Sequence, residues 1–141
     1  DGTGPVPGLE GERFDAVLVD APCAGLGTLR RHPERKLRTA PADLERFGAL
    51  QEALLRSALR HALPGAPVTL AVCSLSRAEG PAQVRRLLSE GWRRSPPPPS
   101  FPADLLGPDG ELLALPHRHG GDGFWAARLL GGSGVGGGVS G

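Results

Sequence analysis

The sequence has few cysteines and almost no net charge, and each shortage excludes a class of protein. Its 141 residues include two cysteines, too few for a disulfide scaffold or a cysteine-rich zinc site. We therefore expect a reducing compartment, the cytoplasm, and no metal centre. A formal net charge of +1 gives no overall attraction to nucleic acid. No apolar run approaches the roughly 18 residues of a membrane span, which predicts a soluble protein with no membrane partner.

Glycine and proline, in contrast, are abundant, and their distribution suggests where the folded unit lies. The chain has 22 glycines and 15 prolines, which are concentrated at both ends and near residues 95–102. Such a composition is typical of flexible segments. We predict a flexible N-terminal segment over residues 1–12, one folded unit over residues 13–130, and a disordered Gly-rich tail over residues 131–141.

Two apolar runs end in a similar way, each followed by a cysteine. Phe14–Asp20 is followed by Cys23, and Pro67–Val72 is followed directly by Cys73. Both runs are predicted to be buried, parallel strands. Because ligands bind beyond the carboxyl ends of such strands, we expect the two thiols to share a pocket. The alternative is that both cysteines are small, buried hydrophobic residues.

The remaining pattern predicts two helices and a second pair of strands. Apolar residues spaced by three and four predict a helix over 43–63, with Pro41 and Asp43 suited to its first turn. Ser76 and Glu79 have the spacing of a capping box, which predicts a helix start just past Cys73. Runs over 111–115 and 123–130 are joined by a short loop and must pair antiparallel. The sequence thus predicts an α/β sheet of parallel strands ending in an antiparallel pair.

A basic stretch, Thr28–Arg38, follows the first predicted strand and has two interpretations. It could bind a phosphate backbone through its arginines and lysine. A solvated surface loop accounts for the same composition. Charge alone does not decide between the two.

Three separated segments carry a family resemblance. Residues 20–36, Asp-Ala-Pro-Cys-Ala-Gly-Leu-Gly followed by Thr-Leu-Arg-Arg-His-Pro-Glu-Arg-Lys, resemble the Asp-Ala-Pro-Cys-Ser-Gly-x-Gly segment of Sun-type RNA 5-methylcytosine methyltransferases. The most similar branch comprises the bacterial enzymes that act on 16S ribosomal RNA. Cys73-Ser-Leu-Ser with Glu79 is similar to the family's Thr-Cys-Ser-x-x-x-x-Glu-Asn segment, and residues 117–129 resemble its closing Asp-Gly-Phe-Phe strand.

The resemblance implies a fold, a cofactor and a substrate. The fold would be the C-terminal half of a Rossmann-like, S-adenosylmethionine-dependent methyltransferase sheet, and the substrate ribosomal RNA. Cys73 matches the nucleophile that adds to carbon 6 of cytosine, and Cys23 matches the second cysteine, which assists product release. Asp20 and Pro22 match positions of the cofactor-binding pocket.

The resemblance also bears on the basic stretch and on the last motif. Arg30, Arg31 and Lys36 match basic positions that could contact RNA, which favours the first interpretation of that stretch. Asp122 and Phe124 match the last motif, although a turn acid and a core aromatic explain them equally well.

The chain also departs from the family pattern. Val72, Ala24 and Gly80 replace a threonine, a serine and an asparagine, and none of these changes removes a reacting atom. The strand, Gly-rich turn and helix that hold the cofactor in such sheets do not precede Phe14. We therefore expect an unpaired edge on the first strand and weak cofactor binding by this chain alone.

Other functions are compatible with parts of the pattern. A non-catalytic fragment or RNA-interaction module of the same fold would keep these motifs and lack the cofactor half. An amino-group methyltransferase would carry an aromatic residue where Cys23 stands. Thiol redox chemistry is poorly supported, because the cysteines lack Cys-x-x-Cys spacing.

Overall fold

The computed structural model describes residues 2–131 as a mixed sheet with helices against it. The strands are β1 (Val17–Asp20), β2 (Pro67–Val72), β3 (Arg93–Arg94), β4 (Leu112–Ala114) and β5 (Phe124–Leu130). The helices are α1 (Arg35–Arg38), α2 (Pro41–Leu59), α3 (Gly80–Ser89) and α4 (Pro116–His119), with 3-10 turns at Leu26–Thr28 and Ala103–Leu105. Apart from residue 131, the predicted disordered tail lies outside the described residues.

The strand order confirms the predicted α/β architecture. β1 and β2 pair in parallel, and β5 runs antiparallel to β2 along its whole length. β3 and β4 pair antiparallel with opposite ends of β5, on its other edge. The predicted antiparallel pair, β4 and β5, is therefore present. The sequence did not reveal that β5 lies directly beside β2.

The core lies between one face of this sheet and the two longer helices. Alternate residues of β2 face alternate residues of β5 in register, and these side chains form the sheet side of the core: Val68, Leu70, Val72, Trp125, Ala127 and Leu129. Leu55 of α2 and Val84 and Leu87 of α3 cover them and are fully buried. Burying each such side chain contributes about 1.5–3 kcal/mol, so this layer fixes the sheet that carries both cysteines.

The prediction that the first strand is buried was wrong for half of its residues. Val17 and Val19 pack against the core, whereas Leu18 is 68% exposed and Asp20 is also exposed. The reason is that α2 and α3 cover one face only, and no described residue covers the other face at β1. Its outer edge is likewise unpaired among residues 2–131, as expected.

Several local predictions were refined. Helix α2 begins at Pro41, and Asp43 accepts a hydrogen bond from the Ala40 N–H (2.9 Å), as its first-turn position predicted. It ends at Leu59, four residues before the predicted end. The basic stretch contains the short helix α1, and the loop between β4 and β5 contains α4. Within residues 2–131 no helix is long and apolar enough to span a membrane.

The predicted capping box at Ser76 and Glu79 was wrong. Glu79 directly precedes α3, but its side chain makes no capping bond to the helix. The carboxylate instead turns into the protein, where it is fully buried. Buried charge at this position requires other partners, which belong to the site described below.

Gly80, the first residue of α3, lets the helix approach the sheet. A Cβ at this position would lie 2.5 Å from Cε3 of the Trp125 ring and 3.1 Å from Cγ2 of Val72. Gly80→Ala should therefore lower the free energy of unfolding by about 1–3 kcal/mol in urea titrations, although alanine is the better helix former. Gly121→Ala is the matched control, because open space surrounds Gly121; its effect should stay within about 0.5 kcal/mol. Equal effects of the two substitutions would contradict this packing.

Candidate active site

The parallel pairing of β1 and β2 brings the two cysteines together. The Ala21 N–H donates to the Ala71 carbonyl (3.0 Å), which extends the ladder just past β1. Pro22 has no N–H to continue the ladder, so the chain leaves the sheet at Cys23. Cys73 leaves β2 at the same end, and the two Sγ atoms lie 3.2 Å apart. The predicted proximity is confirmed; both are free thiols and half-buried.

The surroundings of Cys23 keep its thiol protonated. Burial is the main cause, followed by the hydrogen bond with Cys73, and together they raise the pKa of Cys23 from 9.0 to about 12. Because Cys23 holds its proton at neutral pH, its S–H can donate to the sulfur of Cys73. The two thiols are thus in hydrogen-bond contact, and either sulfur can accept from the other.

The buried Glu79 carboxylate links the two cysteine loops. One oxygen accepts from the Ala24 N–H (2.9 Å), next to Cys23. The other accepts from the Ser74 hydroxyl, next to Cys73. Each loop is thus attached, one residue beyond its cysteine, to the same carboxylate. Glu79 is a positioning residue whose role the sequence did not reveal, because its spacing from Ser76 suggested a helix cap.

Gln51 of α2 supports the same network. Its amide nitrogen donates to the Pro22 carbonyl (2.9 Å) and lies 3.3 Å from Glu79 Oε1. Gln51 is fully buried. A polar residue in the apolar stripe, four positions from Phe47 and from Leu55, was the signal in the sequence that could have identified it.

Gly27 connects all three segments that carry the resemblance. Its N–H donates to the Cys73 carbonyl (3.0 Å), and its carbonyl accepts from the Gly123 N–H (2.7 Å). A Cβ on Gly27 would overlap the Gly123 carbonyl and lie 2.9 Å from the Cys73 carbonyl oxygen. The close approach of three backbone segments therefore requires glycine at this position.

Two of the three basic residues that were expected to contact RNA instead bind residues of the last motif. Arg31 donates from Nε to Asp122 (2.8 Å) and forms an ion pair with it, and Arg30 donates to the Gly120 carbonyl (3.0 Å). The hydrogen bond from Arg31 is the main cause that holds the pKa of Asp122 below its ordinary value. Lys36 is exposed on α1, and its side chain has no partner among the described residues.

The residues expected at the cofactor pocket lie at the carboxyl end of β1. Asp20 is exposed, and its carboxylate has no partner within residues 2–131. Pro22 follows it in the loop, where its carbonyl is held by Gln51. A carboxylate without a partner can accept a hydrogen bond from an amino or hydroxyl group of a ligand at this edge of the sheet. The positions of Asp20 and Pro22 are therefore compatible with a cofactor site.

The comparisons with known proteins agree with this fold. Structural neighbours show that the sheet is the Rossmann-like fold of S-adenosylmethionine-dependent methyltransferases. The model of the family "16S rRNA methyltransferase RsmB/F" matches residues 1–130, and the chain belongs to this family. Members of the family depend on S-adenosylmethionine.

The relatives of this chain are much longer than the chain itself. It is 40% identical over 131 residues to ribosomal RNA small subunit methyltransferase B of Thermus thermophilus, covering 92% of this chain and 31% of that protein. It is 37% identical over 123 residues to methyltransferase B of Xylella fastidiosa, covering 86% and 28%. The chain therefore spans less than a third of the length of these relatives.

A solved structure shows the same fold. NSun6 from Pyrococcus horikoshii, crystallised with the S-adenosylmethionine analogue SFG, has a TM-score of 0.72. Its sequence identity is 24%, over 85% of this chain and 30% of that protein. At this identity the likeness shows the fold alone.

Removing the Glu79 carboxylate should destabilise the site. Glu79→Ala leaves the Ala24 N–H and the Ser74 hydroxyl buried without an acceptor, which should cost at least about 2 kcal/mol in urea unfolding. Glu79→Gln keeps one acceptor oxygen and should lose less. Glu45→Ala, at an exposed α2 residue with no side-chain partner in the described chain, is the control and should stay within about 0.5 kcal/mol. A Glu79→Ala protein as stable as the control would refute the linking role.

The raised pKa of Cys23 predicts a titration at high pH. In Cys73→Ala, Cys23 is the remaining thiol, and burial should still hold its pKa well above 9.0, as followed by thiolate absorbance at 240 nm. Since the unfolded thiol ionises first, the contribution of this thiol to stability should be constant below about pH 8 and should fall as the pH rises further. The same protein in urea is the control and should titrate near the ordinary value, about 8.5. Coincident folded and unfolded midpoints would disprove the effect of burial.

Proposed function

We propose that this chain forms the thiol-bearing part of an S-adenosylmethionine-dependent RNA (cytosine-5)-methyltransferase that acts on ribosomal RNA. The observation that supports it most strongly is the 3.2 Å separation of Cys23 Sγ and Cys73 Sγ at the carboxyl ends of adjacent parallel strands. The family membership of the chain supports the same class of reaction and an RNA substrate.

Cys73 is the proposed nucleophile. Carbon 5 of cytosine is a poor nucleophile until a thiolate adds to carbon 6. When the Cys73 sulfur forms the bond to carbon 6, the electron pair of the carbon 5–carbon 6 double bond shifts toward carbon 5. S-adenosylmethionine supplies the methyl group that carbon 5 then acquires. Asp20 and Pro22 are the residues of this chain proposed to hold the cofactor.

Cys23 is proposed to assist release of the product. After methylation, a base such as a water molecule takes the proton from carbon 5, the electron pair of that bond restores the carbon 5–carbon 6 double bond, and the bond from carbon 6 to Cys73 breaks. The departing sulfur carries negative charge at this point. Because Cys23 keeps its proton, its S–H can donate to that sulfur and stabilise it as a thiolate. This role requires the proton that burial retains on Cys23.

Trapping with modified RNA tests both assignments in the full-length protein. RNA that contains 5-fluorocytosine carries fluorine where a proton should leave, so the adduct cannot resolve. A covalent protein–RNA band on denaturing gels should form with the native sequence and fall to background with Cys73→Ser. With natural RNA, Cys23→Ser should accumulate an adduct that the native sequence does not.

The controls separate the two roles. Loss of the fluorocytosine adduct in Cys23→Ser but not in Cys73→Ser would reverse the assignments. Normal turnover of Cys23→Ser on natural RNA would remove the release role. Absence of any adduct with the native sequence would favour the alternative function, an RNA-interaction module without methyl transfer.

A further inference from the structure

A cavity of about 370 Å³ opens beside Cys23, between the loop after β1, helix α1 and the first turns of α2. We propose that this cavity binds a phosphodiester group of the RNA backbone next to the target nucleotide, held by Arg35 and Arg38. The proposal rests on the proposed function, because Cys73, the neighbour of Cys23, is where the target base would bind.

The charges that line the cavity leave positive charge available. Arg35, Arg38 and Arg46 line it together with two carboxylates, of which Asp43 is already paired with an arginine. Asp43 accepts from the Ala40 N–H and from Arg46 (3.1 Å), and Glu34 lies 3.4 Å from a ring nitrogen of the adjacent His32. The side chain of Arg38 is exposed and has no partner among residues 2–131. Three arginines against two carboxylates leave a net positive charge in the lining, and the guanidinium groups of Arg35 and Arg38 form no ion pair within the described residues.

A second observation, independent of the net charge of the cavity, concerns the guanidinium group of Arg35. Its Nε is buried and has no hydrogen-bond partner in the described part of the chain. Its Nη1 reaches the Ala24 carbonyl at 3.3 Å, next to Cys23. A buried donor without an acceptor is unfavourable, and a small movement of the side chain toward an oxyanion in the cavity would satisfy it. This guanidinium is therefore fixed beside the thiol loop with a donor unused.

Gly25 provides the space that Arg35 occupies. A Cβ at Gly25 would lie 2.5 Å from Arg35 Nη1, and the residue has a φ of 70°, which glycine adopts without strain. The loop that delivers Cys23 is thus shaped to admit the guanidinium.

The chemistry of the cavity favours a phosphodiester of single-stranded RNA. The planar guanidinium matches two oxygens of a phosphate, and the pair of arginines offers two such groups. The Phe47 ring lines the cavity, and the Arg46 guanidinium lies 5.4 Å from its centroid. Basic grooves with an aromatic wall are typical of single-stranded RNA sites. Arg30 and Arg31 already donate hydrogen bonds to the Gly120–Asp122 loop. We therefore expect Arg35 and Arg38 to make the contact with the phosphate.

A salt titration of RNA binding tests the proposal in the full-length protein. The probe is a short single-stranded fragment of 16S ribosomal RNA with one 5-fluorocytosine, followed by fluorescence anisotropy in increasing KCl. Arg38→Gln should weaken binding about threefold to tenfold at low salt and reduce the slope of log K against log salt by about 0.7, the value for one phosphate contact on a single strand. Arg93→Gln is the matched control, because Arg93 is exposed on β3 at the end of the sheet opposite the cysteines.

A neutral linkage identifies which group occupies the cavity. With a methylphosphonate beside the fluorocytosine, the difference between the native sequence and Arg38→Gln should disappear, whereas a methylphosphonate at the far end of the fragment should leave it unchanged. A slope for Arg38→Gln equal to that of Arg93→Gln overturns the proposal. So does an effect of Arg38→Gln on cofactor affinity alone, which would assign the cavity to the carboxylate of the cofactor.

The salt titration is run without S-adenosylmethionine, so that the probe binds reversibly, and a parallel reaction with the cofactor distinguishes this proposal from the proposed function. Adduct formation by the native sequence, read on denaturing gels, reports the chemistry at Cys73 independently of the slope. Adduct with no change of slope in Arg38→Gln rejects the phosphate site and retains the methyltransferase. A change of slope without adduct in the native sequence rejects the methyltransferase, and with it the position of a target nucleotide beside the cavity.

Discussion

The buried carboxylate of Glu79 is the constraint on which the site depends. It accepts hydrogen bonds from both cysteine loops, and Gln51 of α2 lies within reach of the same oxygen as the Ala24 N–H. A fully buried charge is unfavourable unless hydrogen-bond donors surround it. The donors from the two loops therefore stabilise the carboxylate, and the carboxylate in turn holds the two loops in place. The parallel ladder of β1 and β2 brings the two loops to one edge of the sheet, and the shared acceptor holds each loop one residue beyond its cysteine. The two sulfur atoms lie 3.2 Å apart in this arrangement.

The sequence predicted those parts of the fold that local pattern determines. The apolar run Pro67–Val72, the helix near Asp43 and the antiparallel pair at the end of the chain were all confirmed, because periodicity and turn residues specify them. The proximity of Cys23 and Cys73 was predictable as well, since parallel strands end at one edge. The assignment of roles to them came from the resemblance and stays a prediction.

What the sequence could not predict depends on contacts between distant residues. The partners of Glu79 lie 55 residues away at Ala24 and 28 residues away at Gln51, and no local spacing encodes them. The exposure of Leu18 reflects the uncovered second face of the sheet, which an apolar run does not indicate. The requirement for glycine at position 80 is of the same kind, because the ring of Trp125, 45 residues further along the chain, fills the space beside it.

The backbone of Gly27 has a consequence for evolution of the chain. Its two hydrogen bonds bind the Cys73 segment on one side and the C-terminal loop at Gly123 on the other, with no side chain between them. A substitution that moves this loop would therefore move the Cys73 carbonyl through a single peptide unit, although Gly123 lies 50 residues along the chain from Cys73 and 100 from Cys23. Selection on the chemistry proposed for Cys73 should accordingly extend to the loop at Gly123.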